Sequence, residues 1–108
     1  MSASETLDLV GQPDSVLVDL RERSERDKHG VIPDSVHVPY GDLERNLEPD
    51  GLLHKLAGAT AKRLVFYCAY GERSAMAVEA AREAGLNRPC HVSGGTEAWK
   101  KADGPVAH

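Results

Sequence analysis

The chain has 108 residues, of which 41% are hydrophobic and 28% charged, and its formal net charge is −4 at pH 7. This length suits one compact domain with one core, so we expect a single domain over residues 1–108. The acidic balance excludes a broad face that attracts nucleic acid or anionic lipid. No apolar stretch is long enough to span a membrane, and residues 1–10 lack the pattern of a secretory signal, so we expect a cytoplasmic location.

Short apolar runs alternate with helical patterns in the first half of the chain, which predicts an α/β fold. The turn-forming residues 11–14 precede the first strand, and prolines on either side confine the second. Asp42 is predicted to cap the helix that follows it. The elements predicted in chain order are a strand over residues 16–20, a helix over 24–29, a strand over 36–38, and helices starting near Leu43 and covering 52–59.

The second half of the chain continues the same alternation. Residues 63–67 give the clearest strand, because they are continuously apolar after the first position, and we expect this strand to lie in the middle of the sheet. A helical pattern over residues 75–84 places its small apolar side chains on one face, and Gly85 is expected to end that helix. A last strand over residues 90–92 precedes a helix that contains Trp99 as a core residue.

Cys68 ends the clearest strand and opens the segment 68–74, which leads into the next helix. The carboxyl ends of parallel strands meet at one edge of a sheet, so Asp19, Cys68 and Ser93 are expected to gather there. Backbone N–H groups of such a turn and the positive end of the following helix stabilise an anion and favour thiolate over thiol. Arg73 adds a positive charge. Cys68 is therefore the candidate nucleophile.

The remaining reactive residues each allow two interpretations. Cys90 is either a partner that resolves an oxidised Cys68 or a small buried hydrophobic residue. Arg21 either steers anions into the site or belongs to a solvated surface of compensating charges. Asp19 is expected to order the neighbouring backbone by hydrogen bonding. The cysteines and histidines lack the spacing of a zinc site, and a Cys–His hydrolase pair remains open.

Four blocks of this sequence follow one another over nearly the whole chain: residues 18–21, 30–39, 68–74 and 93–99. In this order they resemble the blocks Asp-x-Arg after a strand, Gly-His-Ile-Pro-Gly-Ala-x-x-x-Pro, Cys-x-x-Gly-x-Arg-Ser and Gly-Gly-x-x-x-Trp of the rhodanese-like sulfurtransferase family. Val31 and Asp34 stand where the second block of the family has His and Gly.

The resemblance implies a doubly wound parallel sheet of about five strands with helices on both faces. It also implies that Cys68 takes a sulfur atom from thiosulfate or a related donor, holds it as a persulfide, and passes it to cyanide or a thiol. Neither a metal nor an organic cofactor is implied. The partners are a small anionic donor and a small or protein acceptor, without nucleic acid or membrane. The substrate-binding residues implied are Arg21, Ala69, Tyr70, Gly71, Glu72, Arg73 and Ser74.

Two alternatives accompany this interpretation. A Cys-dependent phosphatase or arsenate reductase has five residues between its cysteine and arginine, whereas four residues separate Cys68 from Arg73 here, and the tighter ring favours sulfur. A sulfur-relay or protein-binding module without turnover is the other alternative. Glu72 would repel a dianionic donor unless its carboxylate points outward or pairs with an arginine. A fully buried Cys68 whose neighbouring amides point elsewhere would contradict the proposal.

Overall fold

The computed structural model describes residues 2, 5–6, 15–32, 35–59, 63–86 and 89–106. The predicted turn at residues 11–14 and the substituted position Asp34 lie outside these ranges. No helix within them is long and apolar enough to cross a membrane. The elements are β1 (Ser15–Asp19), α1 (Arg23–His29), β2 (Val36–His37), a 3₁₀ turn (Tyr40–Asp42), α2 (Leu43–Leu47), α3 (Leu52–Ala59), β3 (Arg63–Tyr67), α4 (Glu72–Glu83), β4 (Cys90–His91) and α5 (Gly95–Lys101).

The strands form one parallel sheet in the order β2-β1-β3-β4. β3 lies inside the sheet between β1 and β4, which confirms the predicted mid-sheet position. Asp19 is in register with Tyr67, and Phe66 with His91, so the carboxyl ends of three strands meet at one edge. The described part of the chain contains four strands, compared with about five expected.

Helices cover both faces of the sheet, which confirms the predicted α/β class. Alternate residues of a strand point to opposite faces, so β1 and β3 each contribute to two cores. Phe66 and Cys68 belong to the core that packs against α2, α3 and α4. Val65 and Tyr67 belong to the other core, which contains the fully buried Trp99 of α5. The role predicted for Trp99 is thereby confirmed.

Helix α4 starts three residues earlier than the sequence pattern predicts, at Glu72 instead of Ala75. The helix can begin there because Gly71, with φ 111°, adopts a left-handed conformation that side-chain-bearing residues avoid. Arg73 and Ser74 therefore belong to the first turn of the helix. At the other end Gly85, with φ 85°, ends the helix as predicted.

Asp42 precedes α2 as predicted but does not cap it with its side chain. Its backbone, with φ −102° and ψ 2°, continues the 3₁₀ turn. A capping side chain needs the extended backbone of a typical N-cap residue, so the carboxylate is not aimed at the amides of the helix. The helix is present, and the predicted capping interaction is wrong.

Candidate active site

The thiol of Cys68 lies at the carboxyl end of β3 and has no exposed surface. Its Sγ accepts a hydrogen bond from the Gly71 N–H at 3.1 Å and donates one to Ser74 Oγ at 3.6 Å. The thiol is thus buried, but the amide of the loop points at it, which is the feature required of an anion site.

The N-terminus of α5 holds the backbone of the loop in place. Thr96 N–H donates to the carbonyl oxygen of Cys68 at 2.9 Å. A Cβ atom on Gly95, where φ is 61°, would lie 2.3 Å from that same oxygen. Only glycine permits this approach, because a side chain would overlap the active loop. The glycine at position 95 thus allows close backbone contact between α5 and the loop.

Ser74 connects Cys68 to a histidine that sequence reasoning did not single out. Ser74 Oγ lies 3.0 Å from His91 Nδ1 and 3.0 Å from the carbonyl oxygen of Gly71. His91 is half-buried at the end of β4, and burial lowers its pKa. The one signal in the sequence is position: the last strand of a parallel sheet ends at the same edge as β3, and His91 lies at that end.

Arg73 does not contact Cys68 directly and instead binds Glu25 of α1 through two hydrogen bonds, of 2.8 and 2.9 Å. These bonds raise the pKa of Arg73, and the nearby Cys68 adds a smaller increase. The same pair lowers the pKa of Glu25 to about 2. Arg73 therefore ties the first turn of α4 to α1.

The other side chains of the loop face outward. Glu72 is 63% exposed, and its carboxylate lies 4.0 Å from Arg73 Nε. Tyr70 is 67% exposed, which favours the interpretation as a solvent-facing residue over one lining a pocket. Ala69 is half-buried, and its carbonyl oxygen accepts from an amide of α5. The Glu72 carboxylate thus points outward and lies near an arginine, which is the condition for its compatibility with an anionic donor in this loop.

Arg21 is almost fully buried, with 1% of its surface exposed, so its interpretation as part of a solvated surface is wrong. Its guanidinium binds both carboxylate oxygens of Asp19 and the carbonyl of Gly30, and lies 5.5 Å from the ring centre of Tyr67. These contacts use the donors on Nε and Nη2 and hold the side chain inside the protein, so the predicted substrate role gains no support. The expectation for Asp19 is confirmed, since Asp19 Oδ1 accepts from the Arg21 backbone N–H at 2.9 Å.

Cys90 lies on β4 and packs against the core that contains Trp99, whereas Cys68 belongs to the core on the opposite face of the sheet. Its Sγ lies 3.9 Å from the carbonyl oxygen of Leu64, and burial raises its pKa. This environment favours the interpretation as a small hydrophobic residue over a resolving partner. Among the described residues, no three His, Cys, Asp or Glu side chains are grouped so as to hold a metal ion.

Comparison with known proteins agrees with this architecture. The family description Rhodanese-like domain matches residues 2–102. The thiosulfate:glutathione sulfurtransferase of Saccharomyces cerevisiae is 36% identical over 100 residues, which are 84% of this chain and 70% of the yeast protein. The structure of the human single-domain sulfurtransferase TSTD1 is 26% identical, with a TM-score of 0.76 and 94% of each chain covered.

A second solved structure is similar over a comparable length. It is that of a Rhodopseudomonas palustris protein of unknown function, described as a possible tyrosine phosphatase. It is 36% identical, with a TM-score of 0.87, and the match covers 97% of this chain and 81% of that one. The fold and the active loop thus define a rhodanese-type α/β domain. The chain belongs to the rhodanese-like domain family, and its relatives include proteins named as sulfurtransferases.

Proposed function

We propose that the protein is a thiosulfate sulfurtransferase-like enzyme that transfers a sulfane sulfur through a persulfide on Cys68. The observation that carries the proposal is the hydrogen bond from Gly71 N–H to Cys68 Sγ at 3.1 Å, at the N-terminus of a helix of 12 residues. A donor of this kind stabilises negative charge on sulfur, whether the sulfur is a thiolate or the terminal atom of a persulfide.

In the first half-reaction the Cys68 thiolate attacks the outer sulfur of thiosulfate. A new S–S bond forms, the S–S bond of thiosulfate breaks, and sulfite leaves with the electron pair of that bond. In the second half-reaction cyanide or a thiolate attacks the outer sulfur of the persulfide and removes it as thiocyanate or as a new persulfide. The Cys68 thiolate is restored, and no external oxidant or reductant is consumed.

Loop size supports sulfur over phosphate as the group transferred. Four residues separate Cys68 from Arg73, and the guanidinium of Arg73 is held by both oxygens of Glu25. A phosphoryl group would need several free donors around its oxygens, and two of the five N–H donors of Arg73 already go to Glu25. A single terminal sulfur needs fewer donors, and the Gly71 amide already points at Cys68 Sγ.

The two cysteines provide a matched pair of variants for the test. Cys68→Ser is expected to abolish formation of thiocyanate from thiosulfate and cyanide, whereas Cys90→Ser should retain it within about twofold, because the change at Cys90 lies on the other face of the sheet. Circular dichroism should show the same fold in both variants. Turnover by the Cys68→Ser variant at the wild-type rate would refute the assignment, and hydrolysis of an aryl phosphate by the wild type would support the phosphatase instead.

A further inference from the structure

Cys68 begins its reaction as a buried thiol, so its proton must pass to another group when the thiolate forms. The hydroxyl of Ser74 is the acceptor nearest to the thiol, with Sγ and Oγ 3.6 Å apart. Ser74 is itself fully buried. A hydroxyl that receives a proton has to release its own, because it carries one hydrogen and two lone pairs. The route therefore depends on what Ser74 contacts next.

Ser74 Oγ has two further partners, the carbonyl oxygen of Gly71 and Nδ1 of His91, each at 3.0 Å. The Gly71 carbonyl also accepts the N–H of Ala75 at 3.0 Å, so it stays satisfied if the Ser74 proton turns away from it. A neutral imidazole with its proton on Nε2 presents a lone pair at Nδ1. The Ser74 proton can thus move to His91 without leaving a buried group unpaired.

We propose that His91, acting through the Ser74 hydroxyl, holds the proton that Cys68 loses when it becomes the nucleophile. The S–H bond of Cys68 breaks and its proton passes to Ser74 Oγ, while the former Ser74 proton passes to His91 Nδ1. The electron pair stays on Sγ, and the products are a thiolate and an imidazolium. This step deepens the proposed sulfur transfer and rests on it. His91 is a positioning residue, since it reaches the reacting sulfur only through Ser74.

The carboxylates of Glu25 and Asp19 are engaged by arginines and are not available as acceptors of this proton. Both oxygens of Glu25 accept from Arg73, and its pKa of about 2 makes it a weak base. The oxygens of Asp19 accept from Arg21. Nδ1 of His91, by contrast, faces the Ser74 hydroxyl. Burial lowers the pKa of His91, which makes it a weaker base than a free histidine but leaves the imidazole neutral near pH 7, with a lone pair that can accept a proton. His91 is also partly exposed, so it can release the proton to water afterwards.

The test measures a single turnover of persulfide formation, followed by rapid quenching and intact-mass analysis at increasing thiosulfate concentration. His91→Asn and Ser74→Ala should each lower the maximal rate about a hundredfold, which is the low end of the effect that a general base typically has on a rate. The half-saturating concentration of thiosulfate should change by less than about twofold, since Ser74→Ala keeps the backbone N–H that is proposed to bind the donor and the His91 ring is not proposed to bind it. The double variant should be no slower than the slower single variant, because both act in one route.

His54→Asn provides the matched control, because His54 is also half-buried and its Nδ1 also lies within hydrogen-bond distance of a partner, the carbonyl oxygen of Leu47 at 3.3 Å. It should react at the wild-type rate. A wild-type rate in the His91→Asn variant, or single losses that multiply in the double variant, would overturn the proposal. Thermal unfolding verifies that each variant is folded, and if one of the single variants is not, the other decides the test.

Alkylation by iodoacetamide separates a failure of this proposal from a failure of the proposed function, because it needs the thiolate but no sulfur transfer. If the wild type forms no persulfide, the proposed function is wrong, and the alkylation rate of the Cys68 peptide still tests the proton route. A slower rate in His91→Asn and Ser74→Ala than in His54→Asn would support the route. Equal rates in all of them would refute it.

Discussion

The two cysteines of this protein differ mainly in the groups that contact their sulfur atoms. Cys68 ends an inner strand, where an amide and a hydroxyl contact its sulfur. Cys90 lies on the edge strand of the described sheet, and its sulfur has a distant carbonyl as partner and a pKa raised by burial. A carbonyl oxygen cannot stabilise a thiolate, whereas N–H and O–H donors can. We therefore expect the loop around Cys68 to make it the more reactive of the two cysteines.

Gly95→Ala is expected to have the largest effect on the difference between the two cysteines, because it disturbs the loop around Cys68. The added Cβ would lie 2.3 Å from the Cys68 carbonyl, at a position where φ is 61°. The left-handed backbone costs about 1–2 kcal/mol, and the overlap costs a further ~1–3 kcal/mol. Urea unfolding should show this loss of stability, and the alkylation rate of Cys68 should fall relative to that of Cys90.

Gly41→Ala is the control for that substitution, since nothing lies within 4 Å of a Cβ there. It should change the free energy of unfolding by less than about 1 kcal/mol. If Gly95→Ala and Gly41→Ala were equally stable, the close contact between α5 and the active loop would not be important for the fold.

Arg73→Ala should have the next largest effect, because it removes both the positive charge near Cys68 and the link to Glu25. We expect the rate of persulfide formation to fall about tenfold or more, which corresponds to roughly 1.4 kcal/mol in the barrier. The alkylation rate of Cys90 should stay the same and serves as an internal standard. A parallel rise in the alkylation rates of both cysteines would indicate general unfolding, and an unchanged rate of persulfide formation would contradict a local role for Arg73.

Glu25→Gln should have the smallest effect, and that effect should depend on pH. The pKa of Glu25 is about 2 in the folded protein, below its ordinary value of 4.5, so its ion pair stabilises the fold above pH 4.5 and is lost as the pH falls toward 2. The difference in the free energy of unfolding between variant and wild type should be about 1 kcal/mol or less at pH 7 and should narrow by pH 3.

Glu79→Gln is a matched control, because Glu79 Oε1 lies 3.3 Å from Arg82 Nη1 in an exposed ion pair. That variant should differ from the wild type by less than Glu25→Gln at pH 7, because solvent screens an exposed pair more strongly. A difference for Glu25→Gln that grew as the pH fell would contradict the assigned role of the pair.

Local patterns predicted the elements of the fold well. The apolar run of β3 and the bounds of α3 match the structure, because their periodicity is written into adjacent residues. The early start of α4 was missed, since it depends on the left-handed backbone of Gly71. In the site, Cys68 and its loop were predicted, whereas the partner of Arg73 was not. That partner, Glu25, is 48 residues away, and only the folded chain brings the two together.

His91 was not predicted as a site residue and Arg21 was interpreted wrongly, both because their contacts depend on the folded chain. A lone histidine after a short strand gives no pattern of its own, and its contact with Ser74 follows from the register between β3 and β4. Arg21 belongs to a run of alternating charges that suggests a solvated surface, yet the fold buries it against Asp19. Side-chain pairing across elements is therefore the information that the sequence pattern lacked.

Whether Cys68 carries the transferred sulfur is tested by locating the added sulfur after incubation with thiosulfate. Protein treated with thiosulfate is digested without reductant, and the mass of each cysteine-containing peptide is measured before and after addition of cyanide. The account predicts one extra sulfur atom on the Cys68 peptide, removed by cyanide, and none on the Cys90 peptide. Sulfur on Cys90 alone, or none on either peptide, would contradict it.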